Sequence, residues 1–216
     1  MITQLPPITV KQLLACRTAA DVEKLLDHPH FKNQKNWRPV GDRPNNSGVI
    51  EVGADSSEAM IERATNAIDA ILEREWLEKH KGEMPSTPRT AVQTWFGILS
   101  GRVSKLGDDE LKRFAARVKI FFEESKVPNA PTIVITDDGI GQNPRRFPKT
   151  LLSLNEGNKI DKWFLSGAYG QGGSAVYANC KYTIVISRRQ TSTLEQGQKD
   201  MVGWAIVRYN PLTENE

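Results

Sequence analysis

The chain has 216 residues, 38% of them hydrophobic and 25% charged, the balance of one large globular domain and not of a disordered or fibrous segment. It contains no apolar run of the ~18 to 20 residues that a membrane span needs, and the start MITQLPPITVKQLLAC lacks the basic residues and small-residue cleavage site of a secretory signal, so a soluble, cytoplasmic protein is expected. A net charge of +3, with basic pairs at Arg145/Arg146 and Arg188/Arg189, leaves nucleic acid open as a partner without pointing to it, and Cys16 and Cys180 stand too far from other ligands to suggest a disulfide framework or a zinc site.

In chain order, residues 1–48 read as a small helical extension: VKQLLAC and DVEKLLDH place apolar residues at helical spacing, and the irregular stretch RPVGDRPNNSG follows. VIEVGAD is a short strand candidate, after which Asp55 or Ser56 can cap a helix running to about His80. Its residues Met60, Ala64, Ala67, Ile68 and Ile71 are expected to face the core. Residues 83–130 read as a helical insertion of two helices, the second capped by Asp108. PTIVIT is a strand ending at DDGIG; AVYANC is a short helix; KYTIVIS and VGWAIVRY are strands separated by a polar loop. Helices and strands mix without βαβ alternation, so the expected fold class is α+β, a two-layer sandwich of helices on one mixed, mostly antiparallel sheet.

Three constellations carry candidate chemistry. Glu62, Asn66 and Asp69 stand at i, i+4 and i+7, one narrow stripe of the long helix that can converge on a ligand; an ordinary solvated face is the alternative. Asp137, Asp138, Gly139, Ile140 and Gly141 follow the TIVIT strand: glycines at alternate positions let a flat ring approach, and a carboxylate can accept from an exocyclic amine such as that of adenine. A plain Asp-Gly turn is the alternative. Gly167, Ala168, Tyr169, Gly170, Gln171, Gly172 and Gly173 precede Ser174 and a short helix, an arrangement whose backbone N–H groups suit polyphosphate. Read from Gly170, the same residues also spell the dinucleotide fingerprint GxGxxA, which would need a strand directly before it. The P-loop motif GxxxxGK[ST] and the protein-kinase motif set are missing.

ERATNAID, DDGIG and GAYGQG, in that order, resemble the GHKL superfamily of ATP-binding domains (Bergerat fold), which includes the gyrase B subunit, the large heat-shock chaperone, MutL, MORC proteins and histidine-kinase catalytic domains. The resemblance covers about residues 49–210. It implies Glu62 as the general base activating water, Asn66 as the magnesium ligand, Asp69 as a supporting acid, and Asp137 as the reader of the adenine amine, with Gly139 and Gly141 beside the base. It also implies that Gly167, Tyr169, Gly170, Gln171, Gly172, Gly173 and Ser174 form the phosphate loop, at the end of a lid spanning about Gln142 to Ser166 that carries Lys159 or Lys162 as phosphate contacts.

The chain departs from the gyrase, chaperone and MutL pattern in lacking a late strand with the adenine-binding threonine, and from the gyrase and MutL types in lacking a transducer lysine. The expectation is therefore the N-terminal piece of a longer protein, an ATPase that is slow or inactive in isolation. Its lid would close over ATP and magnesium and promote dimerisation. The alternative is a nucleotide-sensing module that binds ATP or ADP with little turnover.

Overall fold

The computed structural model describes residues 7–44, 55–79, 82–123, 127–128, 130–153, 161–166 and 173–209. Helix α4, Ser56–Lys79, organises the molecule. Asp55 begins it as the sequence indicates: its Oδ1 accepts from the Ser57 N–H at 2.7 Å, satisfying one of the orphan donors of the first turn. Ala59, Ala67, Ile71 and Leu72 are buried along it. Ile68, expected among them, is 50% exposed, and Ile61 is 62% exposed. Both lie on the side of the helix that also carries Leu72 and Glu75, but the elements covering that side reach only its C-terminal half.

Those elements are α5, Pro88–Phe96, and the segment 161–166. Thr87 accepts from the Thr90 N–H to cap α5, and Gly97 closes it in the left-handed region at φ 67°. Leu72, Ala91, Trp95, Phe164 and Leu165 make a core cluster with Trp76, Val92 and Phe96 packed around it. The rings of Trp76, Trp95 and Phe164 meet pairwise at centroid distances of 5.0–5.8 Å, the offset and edge-on contacts that aromatic quadrupoles favour.

Helix α6, Asp108–Ala115, is shorter than the sequence suggests, and Gly107, not Asp108, occupies its N-cap position. The run expected to continue it, VKIFFE, is instead strand β1, Val118–Glu123, antiparallel to β2, Thr132–Asp137, in the register Val118↔Asp137 to Glu123↔Thr132. Aromatic and β-branched residues that pair across a ladder override a helical reading when a matching strand is available. The region read as an insertion thus supplies the partner of the motif-bearing strand.

Helix α7, Gly173–Asn179, leads into β3, Tyr182–Arg188, which pairs antiparallel with β4, Val202–Arg208. Among the described residues the strands therefore form two separate antiparallel hairpins beside the helices, a mixed helix-and-sheet fold. The hairpins are stitched where the chain leaves β2: the Gln190 N–H donates to the Ile140 carbonyl at 2.9 Å, and the Gln142 N–H to Ser187 Oγ at 2.9 Å.

Of the N-terminal helices α1 (Val10–Leu14), α2 (Ala19–Leu26) and α3 (Pro29–Lys32), the third meets the second hairpin, with His30 and Phe31 against Trp204. Thr9 and Thr18 form capping boxes with Gln12 and Asp21. Phe31 meets Trp37 and Trp204 at 6.0 Å each, and the Arg208 guanidinium lies 4.1 Å from the centre of the Trp37 ring. The candidate strand VIEVGA falls outside the described residues. Among those described, no helix is long and apolar enough to cross a membrane.

Candidate functional site

Two consecutive residues of α4 hold the two loops that the sequence singles out. The Ala70 carbonyl accepts from the Ile140 N–H at 2.9 Å, docking the DDGIG loop on the helix. The Asp69 carboxylate, 1% exposed, accepts from the Ser166 N–H at 2.8 Å, fixing the residue that immediately precedes Gly167. Helix α7, at the far side of the glycine-rich loop, also packs on α4, and the Arg63 guanidinium lies 5.6 Å from the centre of the Tyr177 ring. The tyrosine is buried and donates from its hydroxyl to the Leu151 carbonyl at 3.0 Å.

The docking is close because both partners are small. A Cβ on Gly139 would lie 2.5 Å from the Ala70 Cβ and 2.6 Å from the Ala70 carbonyl carbon. Gly141 has φ 61°, and a Cβ there would meet the Arg188 carbonyl, so only glycine serves both the conformation and the approach. Arg74, one turn along α4, donates to the Asp138 carbonyl at 2.7 Å, and Arg117 Nε reaches the Asp138 carboxylate at 2.9 Å.

These contacts separate the roles of the two aspartates. Asp138 is engaged by arginines, whereas the Asp137 carboxylate accepts only from the Gly139 N–H, at 2.9 Å, among the described residues. Asp137 keeps a face open to solvent, yet the surrounding protein crowds its carboxylate. Burial pushes its pKa above the ordinary value, the Gly139 N–H opposes the rise, and the charge of Asp138 adds to it. The result is an accessible carboxylate, held in one orientation by its own turn, with acceptor capacity for an amine.

On the preceding turns of α4, Asn66 Nδ2 donates to Glu62 Oε1 at 2.9 Å, and both side chains are half-buried. That bond uses the amide nitrogen; the amide oxygen is the atom suited to a hard cation such as magnesium. Among the described residues no group of three or more His, Cys, Asp or Glu side chains clusters to hold a metal, so the donor set fits a cation carried by its ligand's own oxygens better than a protein cage.

Lys162, expected as a phosphate contact, is ion-paired with Glu73 at 2.6 Å. Lys159, Gly167, Tyr169, Gly170, Gln171 and Gly172 lie outside the described residues, and of Gly173 and Ser174 only the helical backbone is described. Residues 161–166 are turns and irregular backbone, not the strand that a dinucleotide fingerprint at Gly170 needs in this stretch. Sequence reasoning named the stripe and the box but missed Ala70, Arg74 and Ser166, which position them. Ala70 follows the stripe as an unremarked small residue, and Ser166 lies 97 residues from its partner, beyond any local pattern.

Two shallow clefts occur on the described surface. One is lined by Gln12, Ala15, Cys16, Asp21, Lys24, Leu25 and His28, the other by Gln142, Asn143, Arg146, Arg189, Glu195 and Gln198. Neither is formed by Glu62, Asn66 or Asp137. Comparison with known protein families, characterised proteins and solved structures finds no match to this chain.

Proposed function

We propose that the chain binds ATP with magnesium in a GHKL-type site and hydrolyses it, with closure of the lid coupled to dimerisation and a conformational cycle. The finer architecture that goes with this reading is a two-layer Bergerat-type sandwich, in which the two hairpins belong to one sheet beneath the helices. The observation that supports it best is the pairing of neighbours on one helix: Ala70 holds the loop after Asp137, and Asp69 holds the residue before the glycine-rich loop. An adenine reader and a phosphate binder far apart in sequence are thereby tied to the helix that carries Glu62 and Asn66.

In this reading Asp137 accepts from the adenine amine, Asn66 contributes its amide oxygen to magnesium, and Glu62 orients and deprotonates the attacking water. Magnesium, when bound, would offset the negative charge of the phosphates. Asp69 acts through Ser166 and keeps the entry to the glycine-rich loop in place.

Calorimetry with ATP and magnesium tests the reading directly. Asp137→Asn is expected to weaken binding by about tenfold or more, the loss of one charge-assisted hydrogen bond. Glu62→Ala is expected to keep binding and lose phosphate release. An Asp137→Asn protein that binds ATP as tightly as the parent would overturn the adenine assignment, and parent binding with no turnover in any context would leave the sensing module as the function.

A further inference from the structure

A cleft opens where the chain after the DDGIG box passes the end of β3, lined by Gln142, Asn143, Arg146, Arg189, Glu195 and Gln198. It is small: about 10 Å³ of it is open to the centre of a water molecule, room for about one water or one oxygen. Two guanidinium groups share it. Arg188, next in sequence to Arg189, is paired with Asp200 at 2.6 Å. Among the described residues, by contrast, Arg189 makes a single hydrogen bond, from Nη1 to the Gly141 carbonyl at 3.2 Å, and Arg146 makes none from its side chain.

Two carboxylates, Glu73 and Glu195, lie within electrostatic reach of Arg189. Glu195 accepts from Gln198 Nε2 at 2.6 Å, and Glu73 is paired with Lys162 at 2.6 Å. With Glu195 on its wall the cleft still carries one positive charge in excess. Asn143, 7% exposed, accepts from the Arg145 N–H through its Oδ1 at 3.0 Å, while its Nδ2 has no partner among the described residues. Asn143 Nδ2 is not among the buried polar atoms left without a partner, so it is a solvent-facing donor of a residue that lines the cleft.

From this geometry we propose that the cleft binds a tetrahedral oxyanion of the phosphate class, with Arg146 and Arg189 supplying charge and Asn143 Nδ2 supplying a further donor. The cleft has room for one oxygen, and the others face solvent, where the exposed Arg146 can close on them. Arginine suits this role because its planar fork matches the oxygens of phosphate. The electrostatics of Arg189 agree: burial pushes its pKa down and the like charge of Arg146 works in the same direction, while Glu73 and Glu195 hold it up. An anion between the two guanidinium groups relieves that repulsion.

The test uses the full chain without nucleotide, titrated with inorganic phosphate against chloride at matched ionic strength, with binding read by calorimetry and melting temperature. Arg146 is exposed and makes no side-chain bond, so Arg146→Ala is expected to fold; it should weaken phosphate binding by about tenfold, and Arg146→Lys should retain part of it. Phosphate binding should persist in the presence of saturating ATP and magnesium, which would fill the proposed nucleotide site, and this separates the two sites. A preference for methyl phosphate would identify the end of an ester as the ligand, and a preference for inorganic phosphate the free ion. Equal stabilisation by phosphate and chloride, or unchanged phosphate affinity in Arg146→Ala, would overturn the proposal.

Discussion

At Gly139 a single methyl group decides whether the DDGIG loop can dock, since its carbon would stand 2.5 Å from the Cβ of Ala70. Gly139→Ala is therefore expected to cost about 1–3 kcal/mol by overpacking, measured by urea denaturation. Adding Ala70→Gly should recover part of that loss, even though glycine within a helix costs about 1 kcal/mol by itself; strict additivity of the two changes would argue against the contact. On the proposed reading, Asp137 sets nucleotide binding against stability. Its carboxyl titrates higher in the folded protein than in the unfolded chain, so the folded state holds the proton more tightly. Stability then declines as the pH rises from the ordinary carboxylate range through the raised pKa. Asp137→Asn should remove that decline and raise the melting temperature of the nucleotide-free protein at pH 7, while nucleotide affinity falls. In the parent, affinity should fall as the medium is acidified through the same raised pKa, because the protonated carboxyl no longer accepts from an amine.

At the scale of elements, the aromatic cluster of α4, α5 and residues 161–166 anchors that segment on the long helix. Phe164 is completely buried between Trp76 and Trp95. Phe164→Ala should cost about 3–5 kcal/mol and change the fluorescence of the neighbouring tryptophans, both readable in one denaturation series. Much of this level was legible beforehand. The period of α4, its start at Asp55, and the β-branched runs TIVIT, TIVIS and AIV all announce their elements, and the Asp-Gly box marks the end of β2. Strand β1 was hidden because DDELKRFAARVKIFFE contains no glycine or proline to break the helical pattern, and its strand state depends on a partner strand beyond the end of that run, Thr132–Asp137. The exposure of Ile68 and the burial of Asp69 were hidden for a related reason: periodicity gives the faces of a helix but not how far its neighbours extend along it.

Across the whole molecule, the N-terminal helices are fastened to the second hairpin through the Phe31, Trp37 and Trp204 rings, and an ion pair between Arg17 and Glu123 reaches across to β1. Trp204→Ala should loosen residues 7–44 while leaving α4 and its loops in place, so limited proteolysis should cut first among those helices, and the variant should still bind ATP on the proposed reading. Loss of both properties together would show that the extension and the site behave as one cooperative unit.

The bond from the Ile140 amide to the Ala70 carbonyl has a spectroscopic consequence. Ile140 is 1% exposed, so its proton can exchange with solvent deuterium only when the loop lifts from the helix. The exchange rate of this one amide is then a clock for that lifting, and on the proposed reading a nucleotide held by Asp137 should slow it without any label or mutation being introduced.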